Sequence, residues 1–228
     1  MRRRWAAVAV VLAVVAAAGL WLVLWLEGVD RGRYAHLATP ERIAGLNRAF
    51  AEMGDDVVLF GDSHSEFVGD PSPLCGRQAI NAGIGGISAR GYLNLLDQLR
   101  MPRRAYAGLL TIGTNSALDK PLPRSRAAFR DNAAALVAAL QTRTQRLVVT
   151  AVPPVGPDVA HLFDLAALEA YSEELEGICR KAGCRFLDPF SAIRSENPVI
   201  ARPGAMRDGV HLVDYRTPLT RSAALLCG

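Results

Sequence analysis

"DVVLFGDSHSE", Asp56 to Glu66, is the stretch on which the fold turns. Val57 to Phe60 form a short β-rich apolar run, and Gly61 and Asp62 close it with turn residues. A run that is apolar at every position, not at alternate ones, suits a fully buried strand of a parallel sheet. Sheets of that kind place ligands beyond the carboxyl ends of their strands. Ser63 and His64 therefore fall where chemistry is expected.

Working outward, "RQAINAGIGG" repeats the strand-then-glycine pattern more weakly, and "AYAGLLTIGTN" repeats it strongly. "RLVVTAVPPV" is a fourth strand, stopped by Pro153 and Pro154, and "CRFLDPF" supplies a short fifth. Between them lie helical periodicities. Tyr92, Leu95, Leu96 and Leu99 share one face, as do Phe129, Ala133, Leu136, Val137 and Leu140. Leu168, Tyr171, Leu175 and Ile178 mark a third, with Gly183 placed to end it. This alternation predicts an α/β fold with a doubly wound parallel sheet and helices on both faces.

Upstream, Arg2, Arg3 and Arg4 precede an uncharged run from Trp5 to Leu26. Its length is roughly the 20 residues that a bilayer-spanning helix needs. Trp5, Trp21 and Trp25 sit near its ends, as interfacial indoles do. Residues 1–28 thus read as a basic cytoplasmic end and a transmembrane anchor. A cleaved signal peptide ending near Ala16, Ala17 and Ala18 is the rival, opposed by the apolar run that continues through "GLWLVLWL". Residues 29–54 read as a connector and first helix, and residues 55–228 as the exported domain.

Setting aside Arg2 to Arg4 leaves 23 basic against 22 acidic residues, a formal charge of only +1. Charge therefore implies no nucleic-acid partner. The four cysteines, Cys75, Cys179, Cys184 and Cys227, lie in the exported part, where disulfides are the first expectation. Three connectivities are open. In one, Cys179 and Cys184 close a short loop and Cys75 is left for Cys227. Small buried thiols are the plain alternative.

A serine hydroxyl needs a base to take its proton and donors aimed at the oxyanion it creates. Of the four histidines, His36 lies by the connector and His161 at a helix start, positions that suit solvated or capping side chains. His64 adjoins Ser63, but adjacent side chains diverge, so a structural or substrate-facing role fits it better. His211 lies three residues after Asp208 in "RDGVHL". That spacing lets a carboxylate hold one ring nitrogen while the other faces a serine; an Asp–His pair on a surface loop has the same spacing. Asp62 reads as an acceptor for backbone N–H groups of the turn. "NAGIGG" and "GTN" offer glycine N–H groups and the Asn115 amide at two strand ends, although tight turns use the same residues.

The ordered set "GDSHS", "NAGIGG", "GTN" and "DGVH" resembles the four signature blocks of the SGNH (GDSL-type) serine esterase/lipase family. It spans Val57 to Leu212. The resemblance implies a three-layer, flavodoxin-like sandwich around a five-stranded parallel sheet. It also implies Ser63 as nucleophile, His211 as base oriented by Asp208, and an oxyanion hole of the Ser63 N–H, the Gly86 N–H and the Asn115 amide. Two positions depart from the family pattern. Ser116 stands where an aspartate commonly follows the asparagine, and His64 stands where leucine often follows the serine. The second variant resembles SGNH domains that act on extracytoplasmic carbohydrate esters.

A dinucleotide fingerprint fails, because Gly83 and Gly85 lack the third glycine, replaced by Ser88, and no acidic residue follows at ribose distance. No cysteine or histidine spacing suits a metal, and no cofactor is expected. The expected function is a membrane-anchored extracytoplasmic esterase acting through an acyl-enzyme on an acylated glycan or lipid, with a short-acyl ester of an envelope glycan favoured. An O-acyltransferase, a lysophospholipase or thioesterase, and a non-catalytic binding module are the alternatives.

Overall fold

The computed structural model describes residues 38–118 and 126–228. The expected membrane anchor of residues 1–28 lies outside the described residues, as does His36. Among the described residues no helix is long and apolar enough to cross a membrane.

Five parallel strands, β1 (Val57–Gly61), β2 (Ala79–Gly83), β3 (Ala107–Thr111), β4 (Leu147–Thr150) and β5 (Arg185–Leu187), form one sheet in the order β2-β1-β3-β4-β5. The helices are α1 (Pro40–Glu52), α2 (Ser63–Glu66), α3 (Ala89–Leu95), α4 (Arg126–Arg143), α5 (Leu165–Ala182) and α6 (Arg216–Cys227). Strands β1 and β3 are buried at every position, as residues covered on both faces must be. Val57, Leu59, Ala107, Leu109 and Val148 face Leu226 of α6. Val58, Phe60, Leu110 and Val149 alternate with them and are equally buried. Each of the Val, Leu and Phe side chains among them contributes about 1.5–3 kcal/mol relative to exposure.

The helices follow the predicted faces. All five residues expected inward on α4 are buried, and Phe129 stacks on Tyr171 of α5 with ring centroids 3.8 Å apart. Gly183 ends α5 in the left-handed conformation, its N–H donating to the Cys179 carbonyl. The third helical face behaves differently. Only Tyr92 and Leu95 belong to α3; Leu96 begins a 3-10 turn and Leu99 ends it. The Asn47 side chain of α1 donates to the Gln98 carbonyl and accepts from the Arg100 N–H, so the backbone is engaged before the α-helix can continue. His161 lies in a 3-10 turn, Ala160–Leu162, ahead of α5.

The cysteines pair as Cys75–Cys227 and Cys179–Cys184. The first ties the end of α6 to the segment between α2 and β2. Strand β2 is an edge, and α1 covers it: Nη2 of Arg42 donates to the Asn81 and Gly83 carbonyls at 2.8 and 3.1 Å. In the sheet register Gly61 is level with both Gly83 and Thr111. Three strands therefore end side by side, and the turns that leave them meet.

Candidate active site

Strand β1 ends at Gly61, and Asp62 caps α2 by accepting the His64 N–H at 2.9 Å. Ser63 is thus the first residue of a helical turn directly beyond the central strands. The turn is held from below and from the side. The Ser65 hydroxyl donates to the Phe60 carbonyl at 2.7 Å. The Asn81 side-chain amide donates to the carbonyls of Ser65, Glu66 and Gly69 at 2.9, 3.1 and 2.8 Å, while its oxygen accepts the Gly83 N–H. Gly83 lies so close that a Cβ there would sit 2.2 Å from the Glu66 nitrogen. Only glycine admits that approach.

The loop before α6 returns His211 to this point, 148 residues after Ser63, with Nε2 2.9 Å from the Ser63 Oγ. Nδ1 lies 2.8 Å from Oδ2 of Asp208. A carboxylate only accepts, so Nδ1 carries the proton and Nε2 is free to accept from the serine hydroxyl. Oδ1 of Asp208 accepts the N–H groups of Val210 and His211 at 3.1 and 2.8 Å. Burial raises the Asp208 pKa, but these N–H groups and the imidazole outweigh it and hold the carboxyl at about 2. Phe67, 43% exposed, sets its ring edge-on to His211 with centroids 4.5 Å apart.

The turns after β2 and β3 converge beside Ser63. Gly86 has φ +74°, and its N–H meets no acceptor among the described residues. The Asn115 amide donates to the Ile87 carbonyl at 3.2 Å, which leaves its second hydrogen for a ligand. Ser116, at the departure from the family pattern, accepts the Ala89 N–H at 3.4 Å near the start of α3.

Asp62 and His64 are buried behind Ser63. Burial pushes Asp62 up to about 7, against the N–H groups of His64 and Gly113. Burial, reinforced by the charge of His211 and opposed by that of Asp208, pushes His64 down to about 3. His64 is therefore neutral at ordinary pH, and it does not bond Ser63. Its Nδ1 lies 3.5 Å from the Tyr215 hydroxyl, which accepts the Leu212 N–H at 3.3 Å. Its Nε2 is buried without a hydrogen-bond partner. Of the two roles expected for His64, the structural one matches this placement.

Ser63, His211 and Asp208 are thus brought into one hydrogen-bonded line, with Gly86 and Asn115 on neighbouring turns. Reasoning from sequence missed the scaffold, Arg42 and the side chain of Asn81. The one available signal was the position of Asn81 inside a strand, where its polar side chain needs a partner. Among the described residues no group of three or more His, Cys, Asp or Glu side chains is arranged to hold a metal ion.

No family model matches the chain, and no curated protein matches it by sequence. Solved structures do match. A GDSL-like lipase from Bacteroides thetaiotaomicron aligns with a TM-score of 0.62 at 16% identity, over 83% of this chain and 96% of its own. An acetylxylan esterase from Geobacillus stearothermophilus, solved as a catalytic mutant, gives 0.60 at 14% identity over 77% and 95%. A lipase/acylhydrolase from Enterococcus faecalis gives 0.57 at 16% identity over 76% and 94%. At these identities the likeness is one of architecture, and this chain has the fold shared by those GDSL-like lipases, acylhydrolases and acetylxylan esterases.

Proposed function

We propose that the chain is a serine esterase of the SGNH type, tethered to the membrane by residues 1–28 with its hydrolase domain outside the cytoplasm. The observation that carries this reading is the unbroken line Asp208–His211–Ser63, with contacts of 2.8 and 2.9 Å. Nε2 of His211 takes the hydroxyl proton as Ser63 Oγ attacks the ester carbonyl, and Asp208 stabilises the imidazolium that forms. The Ser63 N–H, the Gly86 N–H and the Asn115 amide receive the oxyanion. His211 returns the proton to the departing alcohol, and a water, deprotonated by the same nitrogen, then releases the acid and restores Ser63.

The favoured substrate is a short-acyl, acetyl-type ester of an envelope glycan. Acetylxylan esterases among the proteins sharing the fold support it. The uncharged N-terminal run supports the tether, and two disulfides suit an oxidising compartment.

The test is hydrolysis of p-nitrophenyl acetate and octanoate by the full-length chain in detergent, beside Ser63→Ala. The variant is expected to lose at least about a thousandfold in kcat, and acetate to be preferred to octanoate. A fluorophosphonate should label Ser63. Equal rates for the two proteins would remove Ser63 from the chemistry.

A further inference from the structure

Glu66 lies one helical turn beyond Ser63, on the same side of α2. Its carboxylate rests over Gly85. A Cβ built on Gly85 would stand 2.6 Å from Glu66 Oε2 and 3.9 Å from Ser63 Cβ, so the carboxylate and the nucleophile flank one point with no side chain between them. Among the described residues this carboxylate has no hydrogen bond and no ion pair, although the side chain is partly buried. Around it the turn is tied down: the Ser65 hydroxyl by Phe60, one Asp62 oxygen by the His64 N–H, and the Ser65 and Glu66 carbonyls by Asn81.

A fixed negative charge beside a developing oxyanion opposes it, so an unengaged Glu66 works against the chemistry assigned to Ser63. That conflict is relieved when a donor occupies the carboxylate. An ionised carboxylate only accepts hydrogen bonds, so a substrate that displaces water from it must carry O–H or N–H groups in its place. A simple acyl chain has none. The alcohol portion of a sugar ester has several.

We propose that Glu66 is a specificity-determining residue that accepts hydrogen bonds from hydroxyl groups on the alcohol portion of the ester. It selects esters of neutral polyhydroxy alcohols and repels anionic ones. This rests on Ser63 being the nucleophile and adds to it a substrate class and the residue that reads it.

The experiment compares the full-length chain, Glu66→Gln and Glu66→Ala on three acetyl esters: p-nitrophenyl acetate, an acetylated methyl glycoside of a neutral hexose, and the matching acetylated uronate. The alanine variant should lose about tenfold to a hundredfold in kcat/KM on the neutral glycoside, chiefly through KM. On p-nitrophenyl acetate, whose leaving group has no donor to relieve the charge, it should match or exceed the wild-type rate, which also shows that it is folded. Glu66→Gln should narrow the gap between uronate and neutral glycoside by about tenfold. Equal losses on all three esters, no change on the glycoside, or a wild-type chain that does not distinguish glycoside from uronate would each overturn the assignment of Glu66. Full activity in Ser63→Ala would instead overturn the nucleophile.

Discussion

One oxygen of Asp208 faces the imidazole of His211 and the other gathers two backbone N–H groups, so a single carboxylate both shapes the loop and sets the tautomer. Asp208→Asn keeps the shape but presents an amide to Nδ1, and kcat for ester hydrolysis should fall on the order of a hundredfold to ten-thousandfold with KM little changed. The folded pKa of about 2 lies below the ordinary 3.8. The stabilisation from ionised Asp208 is therefore complete above the ordinary value and is lost as pH falls through the folded one. Asp62 and His64 behave as an opposed pair. The raised pKa of Asp62, about 7, gives stability that is present below 3.8 and lost as pH rises through 7. The lowered pKa of His64, about 3, gives stability that is present above 6.5 and lost as pH falls through 3. Across mildly acidic pH the two slopes offset. In His64→Phe only the Asp62 slope survives, so the variant should gain stability relative to wild type as pH is lowered from about 6.5 to about 4.5. Urea unfolding at both pH values measures this, and a pH-independent difference between the proteins would contradict it.

Between elements, Asn81 is the stitch that holds the Ser63 turn to strand β2. Asn81→Ala frees three carbonyls and one N–H, and should lower stability by about 2 kcal/mol by urea unfolding. Because two of the freed carbonyls, those of Ser65 and Glu66, belong to α2, kcat for an acetyl ester should fall more than KM rises; a stable variant with unchanged kcat would show that α2 holds itself. The strands and the inward faces of α4 and α5 were legible in the sequence, because burial on both sides leaves continuous apolar runs and one-sided burial leaves a helical period. Ser63, Asp208 and His211 were legible through the ordered blocks that resemble the SGNH family, since the Asp208–His211 spacing alone suits a surface pair equally well. Asn81 and Arg42 were not, since their partners are backbone carbonyls, which no residue pattern announces. The α3 face was read one turn too long, because a side chain from α1 intervenes at Gln98 and Arg100. Helix α6 went unread although Leu219, Ala223 and Leu226 show its period.

Across the whole molecule, the two disulfides restrain the unfolded chain to different extents. The Cys75–Cys227 bridge spans 152 residues and Cys179–Cys184 only 5. Loop-closure entropy assigns them about 5 and about 2 kcal/mol. Cys75→Ser with Cys227→Ser should therefore lower the urea midpoint more than Cys179→Ser with Cys184→Ser, and the reverse order would show that native strain dominates. The order β2-β1-β3-β4-β5 puts the first-made strand near the middle of the sheet and leaves its partners to be added on either side. Ser63 emerges early in synthesis, whereas His211 and the helix that buries Leu226 come last. A chain without the segment that carries Asp208 and His211 thus holds a serine with no base to arm it, and the proposed esterase would be inert in that form.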